Sequence, residues 1–237
     1  MITVHIKDKL KELDVELEDI VLGEFDEIGE YTAKKSRTRD HDLYKKAGCF
    51  FRPNYERGIL MSYLIKNKQI SSVLEIGFGR GYATFCMTKM MCDLGIDGKI
   101  TTVDPGLDEK FLNFLAGVFP PEWFSKIEFV KGTSDQFFSQ DDRIFDFIYI
   151  DGDHRAEAVK NDWINSEKRF KKALLFDDYV IKGTTQYKDI ECTEVIDEIS
   201  DEIYKKELII MDRRIFIDDR GFEDSQINTG QVLIQRR

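Results

Sequence analysis

Two groups of residues in this chain have the types and spacing for chemistry. The first is the run VLEIGFGRGYATF, where Gly77, Gly79 and Gly81 alternate behind Glu75. Glycines at a strand-to-helix turn let the backbone pass close to a ligand through conformations that other residues avoid. A dinucleotide fingerprint reads GxGxxG and lays helix amides on a pyrophosphate. Here the spacing is GxGxG, and Tyr82 stands where the third glycine of that fingerprint would be. Glu75 would repel a pyrophosphate, whereas it suits a cationic aminoacyl or sulfonium group. Further along, Asp104 closes the run KITTVD ahead of Pro105. A carboxylate there can accept from two vicinal hydroxyls, or serve only as a turn residue. Thr133, Ser134 and Asp135 follow in KGTSDQF. They can line a ligand, and Thr133 or Ser134 can equally cap a helix.

The second group is acidic. FIYIDGDH carries Asp151, Asp153 and His154, and LLFDDY carries Asp177 and Asp178. If both runs are strands of one parallel sheet, their carboxyl ends lie on the same edge, where such sheets bind ligands. Carboxylates gathered there repel one another unless a cation joins them. Mg²⁺ or another hard divalent ion, which takes oxygen ligands, is the natural partner. A histidine is the side chain best suited to take a proton at neutral pH, and His154 stands beside them. The alternative is structural, since Asp-Gly and Asp-Asp are common at turns and helix caps.

These residues need elements to hold them, and the sequence supplies a regular alternation. SVLEIG (72–77), KITTVD (99–104), KIEFVKG (126–132), FDFIYIDG (145–152) and ALLFDD (173–178) are short apolar runs of strand length. Helical spacing separates them at 81–93, about 108–118, about 134–139 and 154–170, and a helix precedes the first strand at Ile59–Ile65. In the long 154–170 segment Ala156, Val159, Trp163 and Phe170 fall on one inner face. After a helix over about 193–203, LIIMD and RIFID (208–218) give a sixth strand or a bent pair, and with no helix before the last run at 232–237 the two ends pair as an antiparallel hairpin. The expectation is an α/β fold: a mostly parallel seven-stranded sheet with a C-terminal antiparallel hairpin and helices on both faces. Residues 58–237 would form this domain and residues 1–57 an N-terminal helical or lid extension. Ile6, Leu10, Leu13, Leu17 and Ile20 fall on one helix face there, packed on the domain or, alternatively, forming a homodimer seam.

The glycine segment resembles motif I of class I S-adenosylmethionine-dependent methyltransferases, an acidic residue followed by x-G-x-G-x-G, and the match within the motif is complete. The element order over residues 57–237 resembles the same Rossmann-like fold. The resemblance implies S-adenosylmethionine as cofactor, with Glu75, Gly77, Phe78, Gly79 and Gly81 around its methionine part. It puts Asp104 on the ribose hydroxyls, Thr133 and Ser134 near the adenine, and Asp151 beside the methyl group. The Asp-Gly-x-His and Asp-Asp pair resembles the metal-dependent O-methyltransferases of the catechol and macrolide-sugar types. That implies Asp151, Asp177 and Asp178 as metal ligands, with Asp151 and His154 catalytic and His154 the base. The family often has a Gly-Gly turn before the fifth strand, and RFKKALLF has none. The implied function is O-methylation of a small sugar, polyol or catechol-like compound. The alternatives are a metal-independent small-molecule methyltransferase and a non-catalytic S-adenosylmethionine-binding protein, with a nicotinamide dehydrogenase further off.

Composition narrows the setting. At 237 residues and 42% hydrophobic, the chain can bury a sizeable core. A net charge of −10 disfavours bulk nucleic-acid binding. Lys34, Lys35, Arg37, Arg39, Lys45, Lys46, Arg52 and Arg57 form a local basic stretch. It reads first as solvated surface and second as a contact for an anionic group. Phe50, Phe51, Tyr44 and Tyr55 in the lid could touch substrate or pack in the core. Cys49, Cys86, Cys92 and Cys192 form no CxxC pair, which argues against zinc and against a disulfide framework. No run approaches the roughly 18 apolar residues of a membrane span, and the charged start MITVHIKDKLKEL is no signal peptide. A cytoplasmic location without membrane contact is expected.

Overall fold

The computed structural model describes residues 1–20, 55–117, 119–181, 190–211 and 229–237. Eight strands are described: β1 (Ile2–His5), β2 (Ser72–Ile76), β3 (Lys99–Val103), β4 (Ile127–Val130), β5 (Phe145–Ile150), β6 (Phe170–Val180), β7 (Tyr204–Ile210) and β8 (Thr229–Arg236). They form one sheet in the order β1-β7-β8-β6-β5-β2-β3-β4. The helices are α1 (Ile6–Glu12), α2 (Tyr55–Lys68), α3 (Tyr82–Asp93), α4 (Glu109–Ala116), α5 (Pro121–Phe124), α6 (Ser134–Gln140), α7 (Ala156–Ser166) and α8 (Cys192–Glu198).

The apolar runs become strands because both of their faces are covered. Every residue of β5 is buried, as are four of the five in β2. Alternation along each strand then divides the core in two. Phe147 and Tyr149 join Val73 under α2 and α3, while Ile148 and Ile150 join Leu74 and Ile76 under α7 and α8. The crossovers make β2 through β6 parallel to one another, and β8 runs antiparallel to both β6 and β7. The seven expected strands and the terminal antiparallel pair are therefore present, though β7 begins at Tyr204 and ends at Ile210, and residues 212–218 of the expected run at 208–218 lie outside the described residues.

Three features differ from expectation. An eighth strand, β1, pairs parallel with β7 from Ile2↔Glu207 to His5↔Ile210. It is four residues long and its partner lies about 200 residues away, so no local pattern announces it. Helix α1 stops at Glu12, because Asp14 turns to a positive φ of 57° and Val15 bonds back to Leu10. Ile6, Leu10 and Leu13 are nevertheless buried, and Leu17 and Ile20 pack on the same core from a 3₁₀ turn at Leu17–Asp19. Helix α7 ends at Ser166, and Phe170 is the first residue of β6 rather than the last of the helix. Most of residues 20–57, the part of the extension expected to form a lid, with Tyr44, Phe50, Phe51, Cys49 and the basic residues up to Arg52, lies outside the described residues. Among the described residues no helix is long and apolar enough to cross a membrane.

Candidate active site

The glycine run lies between β2 and α3. Gly77, Gly79 and Gly81 all take positive φ, at 93°, 53° and 86°. Each has its own reason. A Cβ on Gly77 would lie 2.0 Å from the carbonyl oxygen of Asp151. One on Gly81 would lie 2.6 Å from the Phe78 ring. One on Gly79 would meet nothing within 4 Å. Gly79 is thus the position where the backbone borders open space.

Asp104, at the end of β3, reaches across to this loop. Its Oδ2 accepts from the backbone N–H of Phe78 and of Gly79, both at 3.0 Å, and its Oδ1 from that of Gly106 at 2.6 Å. It holds the loop in shape and is half-exposed beside Gly79. Glu75 sits beneath the loop at 1% exposure, where the Thr84 hydroxyl of α3 donates to it. Burial raises its pKa to about 7. Thr133 caps α6, accepting from the Gln136 N–H while the Gln136 side chain accepts from the Thr133 N–H. Ser134 bonds the buried Asp162, and Asn161 donates to Asp135. Both readings of Thr133 and Ser134 thus remain on the same stretch, with their side chains already engaged in the fold.

The acidic group assembles at the same edge. One ligand atom each from Asp151, His154 and Asp178 lies within 4.8 Å of the others. His154 Nε2 is 3.6 Å from Asp178 Oδ2. His154 precedes α7, whose N-cap is Arg155 and whose Ala156 N–H is accepted by Glu191. Its other ring nitrogen lies 3.8 Å from Cys192 Sγ. Burial pushes that thiol up to about 12, so it is a neutral neighbour. Asp153 points away: Arg155 pairs with it and draws its pKa down to about 2.

Asp177 and Asp178 part company through a kink in β6. Phe176 pairs with Val232 and Tyr179 with Gly230, so two residues of β6 face only Gln231 of β8. Such a bulge re-aims side chains, and it is met next to functional sites. Asp178 takes φ of 53°, a region non-glycine residues seldom use, and its side chain is part-exposed beside His154. Asp177 is turned inward at 4% exposure. Its Oδ1 accepts from the Asp178 N–H at 2.8 Å, and its Oδ2 from the Tyr149 hydroxyl at 2.5 Å and from Arg57 Nη2 at 2.7 Å. The residues brought together are therefore Asp151, His154 and Asp178, with Asp177 behind them.

Arg57 is a member of the cluster that the basic stretch conceals. Rather than joining a solvated surface, it enters the cluster from the first turn of α2, with Nη1 3.3 Å from Asp151 and Nη2 3.9 Å from Asp178. Nothing in its sequence neighbourhood distinguishes it from the lysines and arginines before it. Fully ionised, three carboxylates against one guanidinium would leave two negative charges, which a single divalent cation would balance. Burial and the nearby Asp177 charge hold the Asp151 carboxyl well above the usual carboxylate range, as an undercompensated group would be.

The two halves of the site are in contact. The Asp151 N–H donates to the Ile76 carbonyl at 2.8 Å, and the Gly77 α-carbon lies against the Asp151 carbonyl. Residues 74–179, from β2 to the end of this acidic group, match a family model described as a methyltransferase domain. No curated protein matches the chain. Several solved structures share its fold. The O-methyltransferase TomG of Streptomyces achromogenes, involved in tomaymycin synthesis and solved with S-adenosylmethionine, aligns over 88% of this chain and 89% of its own, with a TM-score of 0.61 and 16% identity. An O-methyltransferase from Bacillus cereus, in complex with S-adenosylhomocysteine, aligns over 89% and 91%, with a TM-score of 0.57 and 14% identity. A methyltransferase from Podospora anserina, also bound to S-adenosylhomocysteine, aligns over 90% and 88%, with a TM-score of 0.56 and 15% identity.

Proposed function

We propose that this class I methyltransferase domain moves the methyl group of S-adenosylmethionine to a hydroxyl of a small molecule, such as a sugar, polyol or catechol-like compound. The observation that carries the reading is the meeting of Asp151, His154 and Asp178 directly against the glycine loop, through Gly77 and the Asp151 carbonyl. The cofactor would lie along Gly79, with its ribose at Asp104 and its adenine toward Thr133 and Ser134. Glu75, buried beneath the loop, would add negative charge under the methionine part when it is ionised. Asp151 and Asp178 would hold Mg²⁺ or a similar hard cation, whose charge, when bound, lowers the pKa of a nearby hydroxyl.

The chain's own residues supply the rest. The His154 ring stands 3.6 Å from Asp178, and its neutral imidazole accepts the acceptor's hydroxyl proton. The freed oxygen pair attacks the sulfonium methyl carbon as its bond to sulfur breaks. The products are a methyl ether, S-adenosylhomocysteine and a protonated His154, which returns its proton to solvent. Rate comes chiefly from holding oxygen and methyl carbon at about 3–3.5 Å in line. A metal-independent reaction is the second reading, and Arg57 favours it, because a guanidinium already offsets part of the cluster. A methyl-transfer screen over sugars, polyols and catechols, with and without EDTA, separates the two. Turnover lost in EDTA and restored by Mg²⁺ is expected; full activity in excess EDTA selects the second.

A further inference from the structure

We propose that Arg57 is a tethered counter-cation: its closest contact is with Asp177, which limits its competition with a divalent ion for Asp151 and Asp178. This rests on the reading of Asp151 and Asp178 as cation-holding residues. It changes the role of Asp177, from ligand to tether.

The distances rank the contacts. The guanidinium lies 2.7 Å from Asp177, 3.3 Å from Asp151 and 3.9 Å from Asp178. Exposure ranks them the same way. The Asp177 side chain is 3% exposed, while those of Asp151 and Asp178 are 22% and 23% exposed, on the side an ion can reach. Asp177 is fixed from two more directions, by the Tyr149 hydroxyl and by the Asp178 N–H inside the bulge. Both of its oxygens are thus engaged by protein. A guanidinium stays charged at any working pH, so Arg57 cannot leave the contest by losing a proton. Its planar fork spans two carboxylates at once. Freed from Asp177, the same fork still lies beside Asp151 and Asp178.

The test is Mn²⁺ binding by calorimetry to the full chain, in mildly alkaline buffer where protons compete least, with thermal melts to establish folding. Asp177→Asn should weaken Mn²⁺ binding by about tenfold or more, the scale of one unit charge brought to contact near a protein surface. Arg57→Gln should bind Mn²⁺ more tightly than the wild type. The double variant should return to within about threefold of the wild type, because the competitor and its tether are both gone. A double variant as weak as Asp177→Asn would make Asp177 a ligand and overturn the inference. So would an Asp177→Asn variant that binds like the wild type. If the wild type binds no Mn²⁺ but Arg57→Gln does, the cation reading of the native site fails while the competitor reading stands. If neither binds, both fail. Should Asp177→Asn not fold, Arg57→Gln decides alone, and weaker binding by that variant overturns the inference.

Discussion

Gly77, Gly79 and Gly81 look alike in sequence yet do three different things, and substitution should separate them. Gly79→Val points into open space, so the chain should fold with a loss of about 1 kcal/mol for its positive φ. It should lose the rise in melting temperature that S-adenosylhomocysteine gives the wild type. Gly77→Ala drives a methyl into the Asp151 carbonyl, and it should lower stability by a few kcal/mol in urea denaturation. Equal effects of the two substitutions on ligand binding and stability would defeat this division. His154→Ala should lower kcat by about 10²–10⁴-fold, with little change in KM. A variant that keeps the wild-type kcat would show that another group takes the proton. Asp151, His154 and Asp178 were legible because each ends or follows an apolar run. The difference between Asp177 and Asp178 was not, since adjacent residues in a regular strand merely alternate faces and the bulge that separates them depends on β8, fifty residues on. Arg57 was hidden for a related reason: its partners come from β5 and β6, so its own surroundings carry no trace of them.

Among the elements, α6 offers a direct choice between structural and binding roles for Thr133. Its capping box occupies the hydroxyl. Thr133→Ala should therefore cost about 1 kcal/mol of stability in chemical denaturation. Affinity for S-adenosylhomocysteine should stay within about threefold. A larger affinity loss without a stability loss would give Thr133 to the ligand instead. Strands buried on both faces were the most legible elements, because runs such as FDFIYI have no other stable home. Boundaries were less so. Phe170 lies seven residues after Trp163, a helical interval, yet it also opens a strand and pairs with Phe145. Local periodicity cannot arbitrate there, and the pairing across the sheet decides.

At the scale of the whole molecule, two buried acids tie stability to pH. Burial lifts Glu75 from 4.5 to about 7 and Asp162 from 3.8 to about 6. Between the unfolded and folded values the native state keeps a proton that the unfolded chain has released, so stability falls as pH rises and levels off above the folded value. For Glu75 the loss across that window is on the order of 3 kcal/mol. Urea denaturation at pH 5 and pH 7.5 should show the decline, and Glu75→Gln should flatten its share. An unchanged slope in that variant would mean that the carboxyl is not as isolated as its burial implies. The short first strand has a consequence of another kind. β1 covers β7 from Glu207 to Ile210, and α1 sends Lys9 to pair with the buried Glu207. With residues 1–12 deleted, the run ELII would present a row of unsatisfied N–H and C=O groups, beside a buried carboxylate that has lost one of its cations. An open edge of that kind templates strands from other molecules. The shortened chain should therefore self-associate in light scattering at concentrations where the full chain shows no such growth. The first dozen residues would then act as a guard against aggregation, a role independent of any reaction at the far ends of the strands.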